Sequence, residues 1–433
     1  MSATIKGAAT ELGTERIRKL LMQYAVPAII AMTASSLYNM VDSIFIGHGV
    51  GPLAISGLAL TFPLMNLAAA FGSLVGVGAA TLISMRLGQR DYETAQRVLG
   101  NVLVLNLIIG IAFGLAALLF LDPILYFFGA SEATIGYARE YMTVILLGNV
   151  VTHMYLGLNS VLRASGHPRK SMYATINTVV INTILDPLFI FGFGWGIRGA
   201  AIATVLAQVI SLVWQLRILS NKQELLHFRR GIYRLRKKIV RDMLAIGMSP
   251  FLAACFIVIL INKGLKEYGG DLMIGAYGIV NRLAFFFVMI VLGVNQGMQP
   301  IAGYNFGAKQ YDRVMRVLKL TMIGATCVTT AGFLLGEFMP RLAVGMFTSD
   351  EELIRLAVEG MRIVFFCFPI IGFQMVATNF FMSIGMAGKA IFLSLSRQLL
   401  FLMPGLIFLP HIFDVCTEWN GSWGVWCSMP LSD

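Results

Sequence analysis

Apolar residues run along this chain in blocks of about twenty, separated by short polar stretches rich in Arg and Lys. A helix rises about 1.5 Å per residue, so a block of that length crosses the ~30 Å of hydrocarbon in a bilayer. Eleven such blocks are read, near residues 22–46, 54–84, 98–121, 138–162, 171–193, 199–219, 242–265, 273–298, 318–339, 357–382 and 390–412. The second is too long for one bilayer thickness and implies tilt or projection beyond the lipid. A transmembrane barrel would instead show alternating segments of about ten residues. The expected fold class is therefore an all-α integral membrane protein.

Composition agrees. Of 433 residues, 57% are hydrophobic and 13% charged, whereas a soluble domain is about a quarter charged. The formal net charge of +11 would suit a nucleic-acid partner, but its placement argues otherwise. With the N-terminus taken as cytoplasmic, 24 Lys and Arg fall on the inner side and 6 on the outer (Arg139, Arg198, Lys263, Lys266, Arg341 and Arg355). That excess obeys the positive-inside rule and places the charge against anionic lipid. The expectation is a multi-pass protein of the cell membrane, with no nucleic acid as partner. The five cysteines form no CxxC pair, which excludes a zinc site or a disulfide scaffold; a Cys416–Cys427 bond stays open. Met1 to Lys19 is polar and basic, without a cleavable signal pattern.

The longest polar stretch, Arg217–Arg241, divides the chain near its middle and prompts a search for a repeat. A shift of 219 residues pairs Gly78 with Gly297, Gly88 with Gly307, Arg90 with Lys309, Arg97 with Arg316, Gly166 with Gly385 and Lys170 with Lys389. The expected organisation is a first six-helix lobe over 1–220, a basic cytoplasmic connector over 221–241 and a second, homologous lobe over 242–433. By the same correspondence a twelfth helix begins near Gly424, and the chain ends at Asp433, about half a span later, as a truncated twelfth helix.

Ionisable side chains inside spans carry the chemistry, because a carboxylate at a helix centre costs roughly 2.5–3.5 kcal/mol on insertion scales. Asp42 and Asp186 are such residues. Tyr38 lies four residues before Asp42, and Asn182 four before Asp186, so each pair shares a helix face. Thr204, Asn159 and Asn177, in neighbouring spans, are further candidate hydrogen-bonding partners. Low dielectric favours the neutral form of a carboxylic acid, so such a site can exchange a proton for a cation. The second half lacks these acids: Asp186 corresponds to Gly405, Asn182 to Phe401, and Asp42 to Ile261 or Leu265. Ion coupling is thus expected in the first lobe. Pro27 and Pro187, inside helices, free backbone carbonyls and permit kinks. The run Gly72 to Gly78 has no preceding strand and no following Lys-Ser/Thr, so it reads as close helix packing rather than a nucleotide loop.

Several stretches together resemble the multidrug and toxic compound extrusion (MATE) family of cation antiporters. They are Pro27, Leu37 to Asp42 with Gly47, Leu162 to Gly166, Asn182 to Pro187, Gly199 to Thr204, and Gln296 to Gly307. The resemblance covers roughly residues 15–412. It implies a V-shaped pair of six-helix bundles that open alternately to the two sides of the membrane. It also implies that Asp42 is the central proton- or sodium-responsive acid, surrounded by Asp186, Asn182, Thr204 and Tyr38. Pro27 matches a position of first-helix bending.

The expected function is export of small organic cations in exchange for H+ or Na+, by a monomer without a cofactor. A sodium ion would sit at Asp42, Asn182, Asp186 and Thr204. The alternative is a lipid-linked precursor or polysaccharide flippase, which would grip pyrophosphate with cleft arginines such as Arg282, Arg362 and Arg397. An intramembrane aspartyl protease is excluded, since its acids sit in Tyr-Asp and Gly-x-Gly-Asp settings, whereas Val41 precedes Asp42 and Leu185 precedes Asp186. The chain is not expected to be an enzyme.

Overall fold

The structure, a computed structural model, describes residues 11–249, 251, 270–346, 350–416, 424 and 426–428. Helices account for the regular structure, with no strand among the described residues. The first half comprises α1 (Glu11–Thr14), α2 (Ile17–Gly49), α3 (Pro52–Gly88), α4 (Tyr92–Leu119), α5 (Leu121–Phe127), α6 (Ile135–Leu147), α7 (Asn149–Ala164), α8 (Pro168–Pro187) and α9 (Gly196–Leu219). The second comprises α10 (237–249), α11 (Gly270–Gly307), α12 (Tyr311–Phe338), α13 (Pro340–Gly345), α14 (Glu351–Phe366), α15 (Phe368–Ser383), α16 (Ala387–Leu395) and α17 (Met403–Cys416). Most of the seventh expected span, 242–265, lies outside the described residues.

The halves repeat each other at the 219-residue offset. α4 and α12 correspond end to end, as do α7 and α15. Arg90 and Lys309, one offset apart, both adopt the left-handed conformation (φ 60° and 58°) in the tight turn between neighbouring helices. That conformation is uncommon for a long side chain, so its recurrence marks a repeated turn. Residues 424 and 426–428 are helical, as expected for the start of a twelfth helix. Trp426 packs on the bare face of Gly360 and edge-on to Tyr277. Cys427 carries a free thiol.

Seven helices among the described residues are long and apolar enough to cross a membrane, and two bent pairs bring the number to nine. The bent pairs correct the expectation of continuous spans over 138–162 and 357–382. α6 and α7 meet at 56° around Gly148, and α14 and α15 at 48° around Cys367. Pro369 opens α15 and lacks the N–H that would continue the ladder from α14. The last expected span, 390–412, is interrupted by a π-helical turn over Ser396–Leu402.

Close packing uses small residues, since lipid supplies no hydrophobic force between helices. A Cβ on Gly72 would stand 3.2 Å from the His153 Cα, and one on Gly76 3.1 Å from the Gly157 Cα, so the glycine run of α3 is a seam for α7. The lobes meet through similar contacts at the basic ends of their helices. Gly293 and Gly297 of α11 lie against Ile29 and Ala25 of α2, and Gly247 and Gly78 join α10 to α3 in the corresponding way. Each lobe's first helix thus leans on the other lobe's second.

The segments leading into the two first helices cross over as well. Before α2, the Leu12 carbonyl accepts from Asn305 Nδ2 (3.0 Å) and Arg313 Nη2 (3.1 Å), and the Glu15 carbonyl accepts from Arg313 (2.7 Å). Before α10, the connector binds the first lobe. Gln96 bonds the His227 backbone, Asn101 accepts from Arg236 N (3.1 Å), and Glu224 takes Lys170 (2.6 Å) and His167 (3.0 Å). Replacing Glu224 with alanine is expected to speed limited trypsin cleavage at the exposed Arg229 and Arg230 about fivefold, as loss of a half-buried pair worth ~1 kcal/mol would. Unchanged cleavage would assign the docking to Gln96 and Asn101 alone.

Candidate functional site

In the first lobe, one apolar cluster fills the basic half around Val75, Leu99, Leu158 and Leu162, and another fills the far half around Ile46, Leu125, Tyr141 and Ile197. A ring of polar side chains is set against the second. α2 contributes Tyr38 and Asp42 one turn apart, and α8 contributes Asn182 and Asp186, also one turn apart, just before Pro187 and a π-helical turn over Leu188–Gly192. α9 contributes Thr204.

Asp42 is 6% exposed and Asp186 fully buried, so both point into protein rather than lipid. The two acids are close enough for each to perturb the other. Two carboxyl groups share a hydrogen bond only when one carries the proton. The Asn182 amide ties the ring together, donating from Nδ2 to Asp186 Oδ1 (3.2 Å) and to Thr204 Oγ1 (3.2 Å). Thr204 Oγ1 also lies 3.0 Å from the Tyr38 hydroxyl. Asp42 Oδ1, Asp186 Oδ2 and Asn182 Oδ1 remain buried acceptors without a donor among the described residues. Buried polar atoms are normally satisfied, so these three oxygens mark a place for a proton donor or a cation.

The structure therefore brings together five of the expected residues: Asp42, Asp186, Asn182, Tyr38 and Thr204. It adds Tyr141 of α6, a phenol buried near Asp42, Asp186, Tyr38 and Thr204. Tyr141 shares the inward stripe of α6 with Ala138, Met142 and Ile145, and a buried phenol needs a hydroxyl partner. A tyrosine in that stripe was the available signal.

The other three expected residues lie elsewhere. Asn159 accepts from Ser171 (2.6 Å) and donates to Thr175 (3.1 Å), fastening α7 to α8 about two turns from Asn182. Asn177, half-buried on α8, has no hydrogen-bond partner among the described residues. Pro27 is buried within α2 and lines a groove of about 680 Å³ beside Lys19 and Arg169 at the basic end. Among the described residues no three His, Cys, Asp or Glu side chains converge on one point.

Comparison with known proteins points the same way. The family model MatE matches residues 27–188 and again 246–407, both boundaries separated by the 219-residue offset of the internal repeat. The multidrug export protein MepA of Staphylococcus haemolyticus (strain JCSC1435) is 27% identical over 402 residues, covering 92% of this chain and 88% of its own. The MepA of Staphylococcus aureus (strain NCTC 8325 / PS 47) is 28% identical, covering 91% and 86%. Among solved structures, the MATE multidrug transporter DinF-BH is 37% identical with a TM-score of 0.88, over 97% of this chain and 94% of that one. An outward-facing multidrug resistance MATE family transporter of the MOP superfamily superposes with a TM-score of 0.91 at 24% identity, over 100% and 95%, and shares the fold. A repeated MatE match across two six-helix lobes in a V-shaped arrangement makes this multi-pass membrane protein a member of the MATE family of multidrug efflux transporters.

Proposed function

We propose that this chain exports small organic cations in exchange for protons, acting as a monomer with its basic ends in the cytoplasm. The observation that carries the reading is the buried Asp42–Asp186 pair, supplied by two helices and tied in by Asn182, Thr204 and Tyr38, with the Tyr141 phenol buried nearby. A proton between the carboxyls holds α2 against α8. Its loss leaves two like charges facing each other in a poorly solvated site, which favours separation of the helices and admission of a cationic substrate. Coupling needs only that the ion and the substrate prefer different conformations. The glycine contacts close the lobes at their basic ends, so in this reading the cleft opens outward and a proton enters from outside.

Sodium is the second reading, favoured by the three donor-free oxygens of Asp42, Asp186 and Asn182 beside Thr204 Oγ1. Hard cations take oxygen ligands of this kind. The flippase reading asks arginines to face a cleft, but Arg362 lines a groove with Arg341 and Arg355 at the far ends of α12 and α14. The test is movement of a fluorescent cation such as ethidium in vesicles, under proton and sodium gradients imposed separately. Movement driven by the proton gradient alone is expected. Movement driven by sodium alone would reassign the ion, and movement indifferent to both would end the antiport reading.

A further inference from the structure

At the end of the second lobe opposite the basic loops, α12 finishes at Phe338 and α14 begins at Glu351, with α13 between them. These elements enclose a groove of about 650 Å³ whose lining includes Arg341, Arg355 and Arg362. Phe338, Met339 and Leu342 form its apolar part, and Glu359 is the one acid in the lining among the described residues. Arg355 and Arg362, seven residues apart on α14, share one helix face. Neither has an ion-pair partner among the described residues, and Arg341 approaches Glu351 only at 3.7 Å, with both side chains largely in solvent. The lining therefore carries an uncompensated positive charge.

The corresponding corner of the first lobe is built differently. At the 219-residue offset, Arg341 corresponds to Asp122, Arg355 to Gly136 and Arg362 to Thr143. Asp122 there takes Arg139 in a two-pronged pair, with both bonds at 2.8 Å. The first-lobe corner neutralises itself. In the second lobe the acid has given way to arginine and two further cations line the same space. The repeat alone does not require this charge.

We propose that this groove binds an anionic phospholipid of the outer leaflet. Phe338 ends a membrane span, which places the corner where headgroup meets hydrocarbon. An occupant there must offer an anion to three guanidinium groups and a hydrocarbon chain to Phe338, Met339 and Leu342. A lipid phosphate with its acyl chains offers both, and planar guanidinium groups match its oxygens.

The test uses the full chain in phosphatidylcholine vesicles doped with a photoreactive phosphatidylglycerol, the label then being located by peptide mapping. Labelling of the 338–346 and 355–366 segments is expected to fall ~10-fold in the triple variant R341Q/R355Q/R362Q, with labelling at the basic end unchanged. A photoreactive phosphatidylcholine should not favour these segments, and excess inorganic phosphate should not compete. Equal labelling by the two lipids, unchanged labelling in the triple variant, or competition by inorganic phosphate would each overturn the proposal. If the triple variant melts early, Arg341→Asp, which copies the acid of the first lobe, is expected to give the same selective loss.

Discussion

Asp42→Asn is expected to cut gradient-driven efflux of a fluorescent cation by roughly 100-fold, the upper range of ordinary site-to-site coupling, while the protein stays folded in the membrane. Asparagine keeps the volume of the side chain, and its amide can donate to Asp186, so the ring through Asn182 and Thr204 can still close. What disappears, on the proton antiport proposed above, is the exchangeable proton of Asp42 facing Asp186. A ring that stays neutral on this side has no state in which two like charges face each other, so the ion no longer prefers one conformation over the other. Thr204→Ala supplies the contrast, because it removes bonds worth about 0.5–1.5 kcal/mol each and leaves both acids. It should lower the rate without uncoupling it. Initial efflux rates in vesicles of matched protein content make the comparison. Wild-type efflux by Asp42→Asn would remove the acid pair from the mechanism.

Gly297→Val is expected to open the basic end. A Cβ at 297 would lie 2.6 Å from the Ala25 nitrogen and 2.7 Å from its Cα. These are backbone atoms of α2, which cannot rotate aside, so α2 and α11 must part. Overpacking of this kind costs about 2–3 kcal/mol, roughly a 30- to 150-fold shift between closed and open populations. The readout is a cysteine in place of Ser84, which is fully buried at the lobe contact near Gly303. Its labelling by an impermeant maleimide from the basic side should rise sharply. Gly278→Val on the same helix, with open space around it, should leave labelling unchanged. Equal labelling in both variants would show that this seam is not the gate.

The carboxyl pair was legible because a charge inside an apolar block is costly and therefore conspicuous, and the four-residue spacings placed Tyr38 and Asn182 on the same faces as the acids. Thr204 followed as a hydroxyl in a neighbouring span. Tyr141 carries no such cost in a membrane span, so it passed as one more aromatic residue. The repeat showed itself through a constant offset, but the left-handed turns at Arg90 and Lys309 did not, since neither residue is one that favours that conformation. Hydropathy averages over a break and could not reveal the bends at Gly148 and Cys367, although Pro369 was in plain view. Which end of the cleft is closed depends on backbone contacts such as Gly297 with Ala25, between residues far apart in the chain. No local pattern reports them.

The crossed attachment of the leading segments sets an order of events during biosynthesis. The seat for Leu12 and Glu15 is made of Asn305 and Arg313, so those early residues wait in the ribosome's product until nearly three hundred more have been added. The connector meets no such delay, because Gln96, Asn101 and Lys170 all precede it in the chain. The clasp of Leu12 and Glu15 on the newborn transporter closes with a segment translated long before its own seat.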